Sequence, residues 1–439
     1  MSGTPEGALF GIRREDKNRW EARTPLTPAQ VKEAMESQNL DFIVQSSPVR
    51  AFDDESYRSE GIEVSGDISG ADIILSIKEV PIKALHPGKV HLFFSHTFKG
   101  QPYNFPMLRE IVKQGITLID YEKITDENGR RLVYFGNWAG YAGLMDTLYA
   151  FGLRKNQQGV PNPFQGLKPA YEYGSLSMLR AAVAEVGRSI ESGHLPPAVT
   201  PLVIGITGYG NVSRGVQDLC SELPVMQISP DVLLSTPREN LRSDTVYMVV
   251  FHEEHTVKRR DAGPFELSEY YRTPEDYEST FSQYLPHLSI LINAVYWDSQ
   301  YPRLVTDEAI AALYASKNPH LSVIGDISCD IEGAIEVTKE STEPDRPMYV
   351  WNPDTREISY GVEGKGPVIM AVDNLPCELP RESSETFGGS LKPFLPALAQ
   401  ADFGDNFDDL QLPDPLKKAV IVHRGEFTPL YEYMKDFLS

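Results

Sequence analysis

The chain has 439 residues, 41 % hydrophobic and 23 % charged, so two or three packed domains are expected and disorder is not. Its 41 basic and 62 acidic side chains leave a formal charge of −21, a field that repels nucleic acid and anionic membrane. Cys220, Cys329 and Cys377 lie too far apart to read as a disulfide framework or a zinc knuckle, so no metal is expected. No run reaches the roughly 18 apolar residues of a membrane helix, and the Met1–Phe10 start has no apolar signal core. A cytoplasmic protein is expected, with a processed chain in the mitochondrial matrix left open.

In chain order, Leu9–Ile12 and Asp41–Gln45 read as strands. Between them Thr27–Ser37 reads as a helix, with Thr27 as N-cap and Pro28 just inside. The apolar runs Asp72–Ile77, Val90–Phe94 and Ile116–Asp120 continue the series, and strands alternating with helices predict a mostly parallel sheet. A Gly- and Ala-rich helix at Ala139–Gly152 opens a second α/β unit. Another helix follows at Gly174–Ser192, then strands at Leu202–Ile206, Thr245–Phe251, Ser289–Asn293 and Ser322–Asp326. The predicted division is residues 1–138 plus about 336–439 for a substrate domain and 139–335 for a dinucleotide domain. The loop-rich last hundred residues would return to the first domain.

The strand Leu202–Ile206 runs into Thr-Gly-Tyr-Gly-Asn-Val-Ser-Arg-Gly, a strand, glycine turn and helix. Such a turn lets backbone N–H groups and the helix N-terminus face a pyrophosphate. Gly208 and Gly210 stand as in the usual pattern, but Ser213 replaces the third glycine and Gly215 comes two later. An acidic residue about twenty positions on would hold the ribose hydroxyls of NAD(H). Val225–Ser229 ends instead in Ser229, which leans the expectation toward NADP(H) over NAD(H), with Arg214 or Arg238 as partner for the 2′-phosphate.

Ionisable groups follow the apolar runs of the first domain: Lys78 and Glu79, His96 and Lys99, Glu122 and Lys123. Carboxyl ends of parallel strands share one edge of a sheet, so Lys78, His96 and Glu122 are predicted to converge. Lysine and histidine suit proton transfer, because burial and neighbours bring both toward neutral pKa values. Arg23, Lys99 and Arg131 would gather positive charge for a substrate with several carboxylates; Arg23 also has Glu21 close by as a plain ion-pair partner. His252 and His255 lack the H-E-x-x-H zinc spacing, and the acidic stretch Ala401–Asp409 reads as solvated surface.

The strings GIRREDKNRWEARTPLTP, FFSHTFK, LIDYEK, FGNWAG, TGYGNVSRG, DISCD and DNLPCELP occur in order. Together they closely resemble lysine–2-oxoglutarate reductase, the N-terminal half of the bifunctional aminoadipic semialdehyde synthases of animals and plants. The chain is more distantly similar to fungal saccharopine dehydrogenase and to alanine dehydrogenase, and the resemblance runs from Phe10 to about Ser439. It implies two Rossmann-like α/β domains with an active-site cleft between them. It also implies an NAD(P)H-dependent reductive condensation of L-lysine with 2-oxoglutarate to saccharopine. The catalytic lysine and histidine of the family fall on Lys78 and His96, its carboxylate-binding arginine on Arg23, and an acidic pocket residue on Glu122. Gly208, Gly210, Asn211 and Val212 match the dinucleotide loop, while Asn293, Asp326, Asn374 and Leu375 match loops near the nicotinamide. Asn18 departs from the lysine of the fungal enzymes, and Ser229 from an acidic residue expected in the animal ones. A homodimer and a separate saccharopine-cleaving enzyme are the expected partners if the chain is complete. A related amino-acid dehydrogenase, such as alanine dehydrogenase, and a silent dinucleotide-binding regulatory subunit stay open.

Overall fold

The computed structural model describes residues 7–438 apart from 194, 317 and 318; most of the segment read as lacking a signal core, residues 1–6, lies outside the described residues. The chain forms two compact units, Met1–Gly136 with Pro380–Ser439, and Asn137–Leu379. Among the described residues, no helix is long and apolar enough to cross a membrane.

The first unit is built on an eight-stranded sheet. Six strands run parallel in the order Glu63–Ser65, Asp41–Gln45, Leu9–Ile12, Ile73–Leu75, Val90–Phe93 and Thr117–Asp120. Val420–His423 and Glu426–Phe427 extend it antiparallel. The chain order reverses between Leu9–Ile12 and Ile73–Leu75, a switch point where loops after neighbouring strands diverge and leave a crevice. The helix Pro28–Gln38 forms where the sequence predicts it. Thr27 closes a capping box with Gln30, and Pro28 occupies a first-turn position where its missing N–H costs nothing.

The second unit also has an eight-stranded sheet, whose parallel strands are Val225–Gln227, Val246–Phe251, Leu202–Thr207, Ile290–Asn293, Val323–Asp326 and Val368–Met370. Met348–Trp351 and Ile358–Tyr360 complete it antiparallel. The return to the first unit therefore comes at Pro380 and not near residue 336, because Val368–Met370 pairs with Val323–Asp326 and carries the intervening hairpin into this sheet.

The helix Trp138–Gln157 is buried along most of its length in the second unit. A Cβ on its Gly140 would lie 2.1 Å from the Val212 carbonyl oxygen, and one on Gly215 would lie 2.4 Å from that of Asn137. These glycines let the helix meet the helix Asn211–Cys220 backbone to backbone.

On the same long helix, Asp146 is fully buried and acts on the buried Glu378. Backbone N–H groups of Ala170 and Tyr171 donate to one oxygen of each, at 2.8 and 3.1 Å. Burial pushes the Asp146 carboxyl up to about 7 and that of Glu378 well above its ordinary value. The folded chain thus retains protons that the unfolded chain releases near pH 4. This stabilisation is complete below that pH and is lost as pH rises toward 7. Asp146→Asn removes the cost, so its melting temperature is expected to gain on wild type between pH 4 and pH 8. Melting curves across that range check it; a gap independent of pH would show that the pair does not titrate in the native state.

Candidate active site

The carboxyl edge of the first sheet carries the predicted proton-transfer groups. Lys78 follows Ile73–Leu75, His96 follows Val90–Phe93, and Glu122 follows Thr117–Asp120, three neighbouring parallel strands. Backbone bonds fix their loops. The buried Glu15, just past Leu9–Ile12, accepts from the backbone N–H of Ile77 at 2.6 Å and of Lys78 at 3.0 Å. Asp120 accepts from the Ser95 N–H and hydroxyl at 2.9 and 2.6 Å, and from the Glu122 N–H at 2.8 Å. His96 itself is in the left-handed region, φ 53°, a conformation rare for a side chain of its size and held here by these neighbours.

Lys78 is half-buried, and its ammonium has no hydrogen bond or ion pair among the described residues. Burial lowers its pKa, Arg23 and Lys17 lower it further, and Glu21 and Glu79 oppose them. His96 Nδ1 lies 2.7 Å from Glu79 Oε1, and Lys17 Nζ lies 2.8 Å from Glu79 Oε2. Burial raises the Glu79 carboxyl, but the hydrogen bonds from His96 and Lys17 outweigh it and hold the group at about 2. An ionised Glu79 accepts the Nδ1 proton and leaves Nε2 of His96 for other chemistry.

Glu122 is flanked by two cations, Lys99 Nζ at 3.1 Å and the Arg131 guanidinium. Two positive charges against one carboxylate leave the cluster net positive. Of the two readings open for Arg23, the structure displays the ion pair with Glu21. It is 2 % exposed, bound through Nε and an Nη to Glu21 at 2.6 and 2.5 Å, and lies over the Phe135 ring at 4.1 Å. In this state its fork is held by Glu21, and its reach to the site is the electrostatic pressure it puts on Lys78. Glu79, named in the sequence only beside Lys78 and given no role there, is the group that holds His96.

In the second unit the glycine turn sits at the switch point, between Leu202–Thr207 and Ile290–Asn293. Gly208 has φ 85°, and a Cβ there would lie 2.8 Å from Val295. Around a Cβ built on Gly210 there is nothing within 4 Å, so the turn leaves open space for a group lying on the backbone. Asn211 and Val212 open the helix Asn211–Cys220, whose N–H groups face the same end. A cavity of about 330 Å³ is lined by Gly208, Tyr209, Gly210, Glu253, Tyr271 and Trp297, among others. Glu253 Oε1 accepts from the Tyr271 hydroxyl at 2.6 Å, and Tyr209 stacks on His252 with ring centroids 4.4 Å apart.

Strand order puts Ser229 after the edge strand and not after the neighbour of the glycine-turn strand. Val225–Gln227 lies at the sheet edge, and the strand beside the glycine-turn strand is Val246–Phe251, which is followed by His252 and the short helix Glu253–Thr256. Ser229 instead caps the short helix Pro230–Ser235. Arg238 is likewise remote from the turn, bound to the carbonyls of His287 and Pro201 at the opposite edge of the sheet. Asn293 and Asp326 are buried. Thr207 donates to Asn293 at 2.8 Å, Asn293 to Asp326 at 2.9 Å and Thr338 to Asp326 at 2.6 Å, a network that ties three strand ends together. Leu375 is a core residue packed near Gly143, and Asn374, half-buried with φ 67°, starts its turn. His252 and His255 form a helix cap, and no group of three His, Cys, Asp or Glu among the described residues could hold a metal.

Two mostly parallel α/β sheets, one edged by a lysine and a carboxylate-bound histidine and the other by a glycine turn at its switch point, define a two-unit protein with a dinucleotide-type fold. The sequence matches the models for the alanine dehydrogenase/PNT N-terminal domain over residues 11–142 and C-terminal domain over residues 249–429. The chain belongs to the alanine dehydrogenase/PNT family. It is 36 % identical to the mitochondrial alpha-aminoadipic semialdehyde synthase of Bos taurus, over 99 % of this chain and 48 % of that protein, so it spans about half the length of that relative. It is 27 % identical to the saccharopine dehydrogenase [NAD(+), L-lysine-forming] of Emericella nidulans, over 85 % and 88 %. The fold is that of an L-alanine dehydrogenase structure, TM-score 0.62 at 17 % identity, covering 98 % of this chain and all of that one.

Proposed function

We propose that the chain is a pyridine-nucleotide-dependent oxidoreductase that condenses L-lysine with 2-oxoglutarate and reduces the imine to saccharopine, or runs the reverse. The observation that carries this reading is the half-buried, unpartnered Lys78 ammonium on the strand end next to a His96 held by Glu79. The names of the two curated relatives support the substrates.

The ε-amine of lysine attacks the keto carbon, and Lys78, with its depressed pKa, takes the proton that the attacking nitrogen loses. His96 gives a proton from Nε2 to the carbinolamine hydroxyl, which leaves as water, while Glu79 keeps the ring oriented through Nδ1. Lys99 and Arg131 hold the ketoacid carboxylates, and Glu122 between them receives an ammonium of the amino acid. Arg23 acts from behind, on Glu21 and Lys78. Reduced nicotinamide, when bound, supplies the hydride that reduces the imine carbon.

The residues of the second unit fit such a cofactor: the open space at Gly210 admits a phosphate against the backbone, and Gly208, Asn211 and Val212 would hold the pyrophosphate. For the ribose, Glu253 lies in the cavity two residues past the strand beside the glycine turn, at the start of the helix Glu253–Thr256, where a carboxylate accepts from the 2′- and 3′-hydroxyls and repels a 2′-phosphate. The reading is therefore NADH rather than the NADPH suggested by Ser229. Purified protein with NADH is expected to lose nicotinamide absorbance only when lysine and 2-oxoglutarate are both present. Oxidation of alanine with NAD⁺, and none of NADH with lysine and 2-oxoglutarate, would make the chain a simpler amino-acid dehydrogenase instead.

A further inference from the structure

We infer that a pocket at the amino edge of the second sheet, on the side away from the glycine turn, is a binding site for a compact polyanion, a phosphate-bearing or polycarboxylate metabolite. The pocket has a volume of about 520 Å³ and includes Arg154, Lys155, Arg238 and His320, with the hydroxyls of Ser289 and Ser322. Ser289 directly precedes Ile290–Asn293, whereas Ala294, which lines the cavity beside the glycine turn, directly follows it. The two sites thus lie at opposite ends of one strand. This inference does not depend on the proposed reaction.

Charge is the argument. In a chain of net charge −21, four basic side chains share this pocket, and among the described residues no carboxylate lines it. Arg154 and Lys155 are 5 % and 9 % exposed, and among the described residues neither they nor Arg238 nor His320 forms an ion pair. Burial, and then the neighbouring Arg154 guanidinium, lower the Lys155 ammonium to about 8. His320 is pushed down by burial and then by Arg238, Lys155 and His287, so every charge that acts on it is positive.

The side chains are positioned by neutral partners. Arg154 clamps the carbonyls of Val362, Gly364 and Gly366; Lys155 donates to Ser322 Oγ at 2.8 Å; Arg238 donates to the carbonyls of His287 and Pro201 at 2.9 and 3.0 Å. Arg154 Nε is buried with no partner. The negative end of the helix Trp138–Gln157 accounts for cations in its last turn. It does not account for Arg238 and His320, which come from other segments. Concentrated, partly desolvated positive charge with spare donors is what a small polyanion satisfies, as bound anions gain most where charge-assisted bonds replace water.

The test is a thermal-shift and calorimetric titration of the whole chain with inorganic phosphate and with citrate, against sodium chloride at equal ionic strength. Saturable binding of at least one is expected, and the stronger of the two identifies the phosphate or the polycarboxylate source. Arg238→Gln and His320→Gln are each expected to weaken it at least tenfold. If Arg238→Gln fails to fold, the exposed His320 provides the second variant. No saturable effect beyond that of chloride would overturn the inference. So would equal affinity in the folded variants, which would move the anion to the glycine turn or another site.

Discussion

Lys78→Met is expected to lower kcat for saccharopine formation by about 10²–10⁴-fold, the range for loss of a positioned acid–base group. Methionine keeps the length and apolar stem of the side chain and removes only the ammonium, which has no hydrogen-bond or ion-pair partner to orphan among the described residues. The fold is therefore expected to hold, since a charge disfavoured by burial is removed and no hydrogen bond is broken. NADH affinity should stay within a factor of two, because the glycine turn belongs to the other unit. Steady-state kinetics with a fluorescence titration of NADH separates these effects. A variant with wild-type kcat would remove Lys78 from the chemistry. One that had also lost NADH binding would point to a structural defect.

Glu253→Gln is expected to shift the ratio of kcat/KM for NADH over NADPH by on the order of 100-fold toward NADPH. Two effects add. A charge-assisted hydrogen bond from a ribose hydroxyl to a carboxylate contributes roughly 1.5–3 kcal/mol, and its neutral replacement about 1. The carboxylate also repels the 2′-phosphate of NADPH at close range, a cost that the amide lacks. Glutamine still accepts from the Tyr271 hydroxyl, so the wall of the cavity is kept. The wild type is accordingly expected to prefer NADH. Preference of the wild type for NADPH, or an unchanged ratio in the variant, would remove Glu253 from ribose recognition. Failure of both nucleotides to bind would instead remove the cofactor reading itself.

Much of this architecture is legible in the sequence because local pattern carries it. Short apolar runs separated by capped helices announce parallel sheets, and the predicted strands at Val90, Leu202 and Ser289 lie within a residue of the observed ones. Parallel strands share a carboxyl edge, so Lys78, His96 and Glu122 could be placed at one edge before any coordinates. What the sequence hides is non-local. Strand neighbours depend on crossovers, and the place of Val225–Gln227 at the sheet edge is what turns the proposal for the ribose from Ser229 to Glu253. Pairing across the sheet also decides where the hairpin Met348–Tyr360 belongs, which displaced the boundary to Pro380. Burial is equally silent in a motif: Arg23, Asn293 and Asp326, which the resemblance assigns to the site, are buried and hydrogen-bonded to neighbouring side chains.

The most direct test of the central claim follows the hydride. Protein incubated with L-lysine, 2-oxoglutarate and NADH carrying deuterium at both hydrogen positions of nicotinamide C4 should yield saccharopine with one deuterium, on the carbon that was the ketone. Appearance of that label there would establish reduction of the lysine–ketoacid imine. Unlabelled saccharopine, or deuterium found only in the reduced ketoacid, would contradict it.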